Sequence, residues 1–248
     1  MRIVVLGGLG AWPSAEQGCA GFLVEHGGFR LLIDPGYATL QPLLTRLPAA
    51  AVDAVYVSHG HPDHCADLQP LLRARALADR PAPALPVYAP TGSLDALLAI
   101  DDPGLVDAAY RPHGFTPGDA FDVGPFAVRT WSLPHWLPNA GARFTAGGTV
   151  LAYTGDTGPD PTLVELARDA DLLIAEATYV DEVPDEQVGF LSSAAEVGRY
   201  AGAARTRAVL LTHLWPGTDP AAAVAATRQA YAGPVAVARS GVVVDLPG

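Results

Sequence analysis

The chain has 248 residues, half of them apolar and 17% charged, which is enough to bury one large core and points to a single domain spanning 1–248. Two cysteines supply no disulfide framework, no run of about 18 apolar residues suggests a membrane span, and MRIVVLGGLG reads as a strand rather than a leader. A net charge of −11 with scattered arginines argues against a long nucleic-acid footprint, so a cytoplasmic protein acting on a small molecule, with no membrane partner, is expected.

In chain order, β-rich runs at residues 3–6, 21–25 and 29–33 come first, with His26-Gly27-Gly28 as a tight turn. A run at 54–57 leads into helix-like stretches at 66–79 and 92–99, separated by a run at 86–89. The Pro-rich stretch 80–90 reads as a constrained loop, since strand and helix patterns continue on both sides. The cycle restarts near Asp122: runs at 127–131, 150–153, 172–175, 209–212 and 235–238 alternate with helical stretches at 161–168, 194–204 and 220–232. LLIDPG followed by AVYVSHGH is echoed by VLAYTGDTG followed by DLLIAEAT and AVLLTHLW. The apolar strands of each half end in polar residues, and strand ends facing one way gather sites in α/β proteins.

The densest chemistry lies in Ser58-His59-Gly60-His61-Pro62-Asp63-His64, directly after the run AVYV. Neutral imidazoles with a carboxylate suit zinc and other borderline divalent ions, whereas calcium or magnesium would be held by oxygen alone. His59 and His61, two apart in extended backbone, point to one side, while Asp63 and His64 turn into the next helix and can address a second ion. Cys65 is better read as a small buried side chain than as a ligand. Gly7-Gly8-Leu9-Gly10 lacks phosphate-loop spacing and instead allows close backbone packing.

HxHxDH after an apolar strand resembles the signature of the metallo-β-lactamase superfamily. LLIDPG at 31–36, His135 in SLPH, Asp156 in YTGDTG and His213 in LLTHLWP follow in the family's order. VLGGLGAWP is similar to the first strand of the phosphodiesterase-like branch that includes ribonuclease Z. The resemblance implies a four-layer αββα sandwich and two metal ions, Zn²⁺ with Mn²⁺ or Fe as alternatives. It implies that His59, His61 and His135 hold one ion, that Asp63, His64 and His213 hold the other, and that Asp156 bridges them. It also implies hydrolysis by a metal-bridging hydroxide, with a phosphodiester or similar small ester as substrate, and a homodimer. His26 and His113, the two histidines left over, read as surface residues in a turn and a loop.

Asp63 and Glu176 are the catalytic candidates. Ala175-Glu176-Ala177-Thr178 resembles a branch segment whose Glu pairs with a later histidine that protonates the leaving group. The matching stretch here, Gly189-Phe190-Leu191-Ser192-Ser193-Ala194, has no histidine, so a capping or pairing role for Glu176 stands beside the catalytic one. Asp34 either orients a ligand histidine from behind or simply forms the turn before Pro35-Gly36. Trp136 and Trp215 follow two ligands and would stack on a base, enclose an acyl group or pack on each other. No insertion resembles the Gly-Pro-rich arm with which ribonuclease Z grips tRNA, which disfavours nucleic acid. The alternatives are a lactone or thioester hydrolase of the same fold, a di-iron redox protein, or a metal-binding regulator without turnover.

Overall fold

The computed structural model describes residues 1–247. Its first sheet is built from β1 (Arg2–Leu9), β2 (Gly18–Cys19), β3 (Gly21–His26), β4 (Phe29–Ile33), β5 (Ala54–Tyr56), β6 (Leu85–Pro90) and β7 (Tyr110–Phe115). The second takes β8 (Ala120–Val123), β9 (Phe126–Leu133), β10 (Asn139–Ala146), β11 (Thr149–Tyr153), β12 (Leu172–Glu176), β13 (Val209–Thr212) and β14 (Val235–Val237). The last strand, β15 (Val243–Asp245), returns to pair with β1 in the first sheet.

The halves echo each other as the sequence does. An antiparallel β1-β3-β4 meander continues into parallel β5, β6 and β7, and an antiparallel β8-β9-β10-β11 meander continues into parallel β12, β13 and β14. Parallel strands need crossovers, and helices supply most of them: α1 (Leu40–Leu44), α2 (Pro62–Cys65), α3 (Leu68–Ala76) and α4 (Asp95–Leu98) in the first half, α5 (Thr162–Ala167), α6 (Ala194–Ala203) and α7 (Pro220–Arg228) in the second. β12 and β13 are buried along their whole length, as strands covered on both faces must be, whereas β9 near the edge alternates buried and exposed positions.

The inner faces of the sheets share one core in which Phe22, Leu31 and Tyr56 meet Phe126, Phe144 and Tyr153. Tyr56 stands edge-on to Phe144 at 5.2 Å, and its hydroxyl donates to Ala140 O at 2.8 Å, tying one sheet to the other. Outside the first sheet, Leu68, Leu71 and Leu72 of α3 cover Leu32, Val55 and Val87; outside the second, Val197 of α6 and Ala223 of α7 cover Leu173 and Leu211. The result is an αββα sandwich. Truncating an aromatic in the shared core, such as Phe144→Ala, costs about 3–5 kcal/mol, because both sheets border the cavity.

The helix expected over 66–79 is shorter and separate from α2. Pro70 has no N–H to give the Ala66 carbonyl and crowds it, so helical pairing cannot run through this point. The Asp67 carboxylate at the break accepts from Thr39 N at 2.7 Å and Leu40 N at 2.8 Å, fixing the loop after β4. Strands β2, β7, β8, β10 and β15 fall outside the expected runs. The Ala- and Gly-containing β10 is extended because β9 and β11 pair with it on both sides, and β7 tolerates Pro112 and Gly114 because it forms a sheet edge. Among the described residues, no helix is long and apolar enough to cross a membrane.

Candidate metal centre

Strand ends build the site. Asp34 follows β4, Ser58 through His61 follow β5, His135 follows β9, Asp156 follows β11, and His213 follows β13, all at one edge of the sandwich. Asp63 and His64 sit on α2, whose first position is Pro62, where a missing N–H costs nothing. Gly10 is required because a Cβ there would lie 2.5 Å from His213 Nδ1, and His213 N donates to Gly8 O at 2.8 Å. The glycine run after the first strand therefore packs its backbone against a site residue. Asp34 (φ 46°) and His213 (φ 62°) both occupy the left-handed region, a strain of about 1–2 kcal/mol each that the surrounding hydrogen bonds hold in place.

All seven residues expected as ligands come together in two groups that share one member. His59, His61, His135 and Asp156 form the first; Asp63, His64, Asp156 and His213 form the second. In the first, His61 Nδ1 lies 3.1 Å from His59 Nε2 and 3.0 Å from His135 Nε2. In the second, Asp156 lies 2.9 Å from His213 Nε2 and 3.1 Å from His64 Nε2, and Asp63 lies 3.2 Å from His213 Nε2.

The far nitrogen fixes the tautomer of four of the five imidazoles. His135 Nδ1 donates to Phe190 O at 2.9 Å, leaving Nε2 as a bare lone pair. The Ser58 hydroxyl donates to Asp34 at 2.5 Å, so His59 Nδ1, 3.0 Å from Ser58 Oγ, must donate to it. His64 Nδ1 donates directly to Asp34 at 2.8 Å. On the other side, the Thr178 hydroxyl donates to Glu176 at 2.9 Å and accepts from His213 Nδ1 at 2.8 Å. Every Nε2 so assigned turns its lone pair inward, and buried His64 Nε2 and Asp156 Oδ1 have no hydrogen-bond partner. Converging lone pairs and carboxylates repel unless a cation lies between them. An ion with ligands about 2.0–2.1 Å away in a tetrahedron spaces them roughly 3.3 Å apart, close to the separations here. The donor set therefore fits divalent metal.

Proton affinities differ between the groups. Burial, reinforced by positive charge on His64, holds His59 well below the ordinary imidazole value, and burial also lowers His61 and His135. Burial opposes charge on His213 too, but Asp156 and Asp63 outweigh it and raise its pKa to about 10; the same carboxylates raise His64. Burial likewise opposes ionisation of Asp63 and Asp156, yet His64 and His213 hold both below the usual carboxylate range. Without metal, protons supply the cation in the second group.

The remaining candidates are placed as follows. Asp34 is completely buried and accepts from Ser58 N at 2.7 Å and Tyr153 OH at 2.6 Å, besides Ser58 Oγ and His64, so it orients two ligands as well as turning the chain. Glu176 is completely buried behind the site, accepting from Ser192 N at 2.6 Å, Thr157 N at 3.3 Å and Thr178 N at 2.9 Å. A group protonating a leaving group would have to reach the cleft; Glu176 instead reaches His213 through Thr178. Cys65 is buried and outside both ligand groups. His26 ends β3, and His113, expected in a loop, lies in β7 stacked on Tyr88 at 4.5 Å; neither joins a ligand group. Sequence reasoning misses the orienting roles of Ser58, Tyr153 and Thr178; a hydroxyl next to a ligand or at the same strand end is the one signal that points to them.

His61, Asp63, His135, Asp156 and His213 floor a cleft of about 290 Å³ walled by Trp136, Gln187, Leu191 and Trp215. Trp136 stacks on Phe190 at 5.0 Å, and Trp215 packs between Trp12 at 5.8 Å and Tyr179 at 5.3 Å.

Comparison with known proteins agrees with this geometry. A family model described as "Beta-lactamase superfamily domain" matches residues 29–214. The chain is 30% identical over 221 residues to "Probable metallo-hydrolase YhfI" of Bacillus subtilis, covering 86% of this chain and 87% of that one. The crystal structure of YhfI superposes with a TM-score of 0.89 at 28% identity, covering 98% of both chains. "Ribonuclease Z" of Myxococcus xanthus is 27% identical over 302 residues, covering 100% of this chain and 98% of that one. The short form of human tRNase Z shares the fold, with a TM-score of 0.80 at 23% identity and full coverage of both chains.

Proposed function

We propose that this chain, which belongs to the β-lactamase superfamily and is a metallo-hydrolase, uses two divalent ions, Zn²⁺ or Mn²⁺, to hydrolyse a small phosphodiester. The observation that carries the reading is the sharing of Asp156: its Oδ1 faces His64 at 3.1 Å, while its Oδ2 lies 2.9 Å from His213 and 3.7 Å from His59. One carboxylate thus serves two sets of donors. Divalent ions held by these residues supply Lewis acidity, which polarises a phosphoryl oxygen and acidifies water.

The chain's own residues bind, orient and exclude. Asp34 and the Glu176–Thr178 pair keep His59, His64 and His213 in the tautomer that presents Nε2. Trp136, Leu191 and Trp215 wall the cleft with apolar surface, so a substrate entering it sheds water. No arginine lines the cleft and the chain has no lysine, so a singly charged diester suits it better than a polyanion. The ribonuclease Z relatives point to the same bond type.

Purified protein is expected to hydrolyse bis(4-nitrophenyl) phosphate, to lose that activity to chelator and to regain it with Zn²⁺ or Mn²⁺. A fully loaded protein that cleaves lactones or thioesters but no diester would overturn the substrate class. A loaded protein inert on all three would overturn the enzymatic reading.

A further inference from the structure

The cleft contains no acid to spare. Among its ten lining residues, the titratable ones are His61, Asp63, His135, Asp156 and His213, and all five belong to the two ligand groups. The other five are Ala11, Trp136, Gln187, Leu191 and Trp215, none of which gives up a proton near neutral pH. The Gln187 carboxamide oxygen is itself occupied, accepting from Tyr179 OH at 2.5 Å. Outside the ligand groups, the carboxylates that back the site are Asp34 and Glu176, and both are completely buried: Asp34 accepts from Ser58, His64 and Tyr153, and each Glu176 oxygen accepts two hydrogen bonds from Thr157, Thr178 and Ser192. The protein has fifteen arginines, which stay protonated, and no lysine, and no arginine lines the cleft.

Resting on the phosphodiesterase reading, we infer that this cleft cleaves only diesters whose departing oxygen leaves without first taking a proton, as an aryloxide or enolate does, and spares simple alkyl esters. In the reaction, a water oxygen forms the new P–O bond while the bond to the leaving oxygen breaks. The bonding pair departs on that oxygen as an anion, and the water's proton passes to solvent. A positioned general acid supplies typically 10²–10⁴-fold when the leaving group is poor. This cleft offers none, so the rate follows the leaving group's own acidity. Trp136 and Trp215 line the cleft and give a planar leaving group aromatic surface to pack against.

The test uses metal-loaded wild-type protein and methyl aryl phosphates in which only the aryl group varies. From the 4-nitrophenyl to the phenyl ester, kcat/KM is expected to fall more than about 30-fold; any flatter dependence overturns the inference while leaving the phosphodiesterase reading intact. Binding of the methyl phenyl ester, followed by tryptophan emission, is expected in the same concentration range as the KM of the nitrophenyl ester. Weaker binding that accounts for the whole fall in rate also overturns it. Failure to cleave the 4-nitrophenyl ester at all overturns the phosphodiesterase reading itself.

Discussion

Two buried carboxylates, Asp34 at the end of β4 and Glu176 at the end of β12, stand behind the site in corresponding places of the two halves, yet they work differently. Asp34 reaches two ligands, His64 directly and His59 through Ser58, and also takes a hydrogen bond from Tyr153 of the opposite sheet. Glu176 reaches only His213, through Thr178, and its other contacts are backbone N–H groups. Burial raises the Glu176 pKa to about 7, despite the opposing pull of His213. His59 and His64 are thus anchored on one shared carboxylate, and His213 on a single hydroxyl relay. Both arrangements fulfil one requirement, that a ligand imidazole keep its proton on the nitrogen away from the metal.

Removing the shared ligand should outweigh any change behind it. Asp156→Ala is expected to abolish hydrolysis and leave fewer than two ions per chain by elemental analysis; two retained ions would break the assignment of Asp156 to both groups. Asp34→Asn comes next: metal affinity, read by chelator competition, should fall roughly 10–100-fold at the ions of both groups, since ligands of each lose their acceptor. Thr178→Val should weaken only the ion bound by His213, by about tenfold, with Thr178→Ser restoring it. Equal weakening of both ions by Thr178→Val would erase the contrast between the halves.

Protons sharpen the comparison further. In metal-free protein the His213 pKa is raised to about 10, so its charge stabilises the fold fully below the ordinary imidazole value near 6.5 and that contribution disappears as pH rises through about 10. Metal must displace that proton, so loading at pH 7.5 should release protons to the buffer, measured by calorimetry in buffers of different ionisation enthalpy. Metal affinity should rise with pH across the same window. The smallest effects belong to His26→Ala and His113→Ala, which should leave metal content and activity unchanged, because neither ring approaches the ligand groups.

The candidate ligands are legible in the sequence because metal chemistry constrains residue type as well as position: imidazoles and carboxylates gathered directly after apolar strands suit a cation far better than they suit a packed core. The sheets are legible where β-branched and leucine runs are dense, as in β4 and β13, and illegible where pairing imposes extension on weak formers, as in the Ala- and Gly-containing β10. The relays are harder to see. Ser58 lies 24 residues from Asp34, and Thr178 lies 35 from His213, so only the folded chain reveals which hydroxyl meets which carboxylate and imidazole. The location of Glu176 behind the site is likewise a product of packing: Ser192, at the entrance to α6, turns its backbone N–H onto the carboxylate.

The central claim, two ions meeting at Asp156, is tested most directly by elemental analysis of protein purified without chelator and then reconstituted. Two divalent ions per chain are predicted, one for each set of donors that meets at Asp156. One ion per chain after saturation, or none, would contradict it.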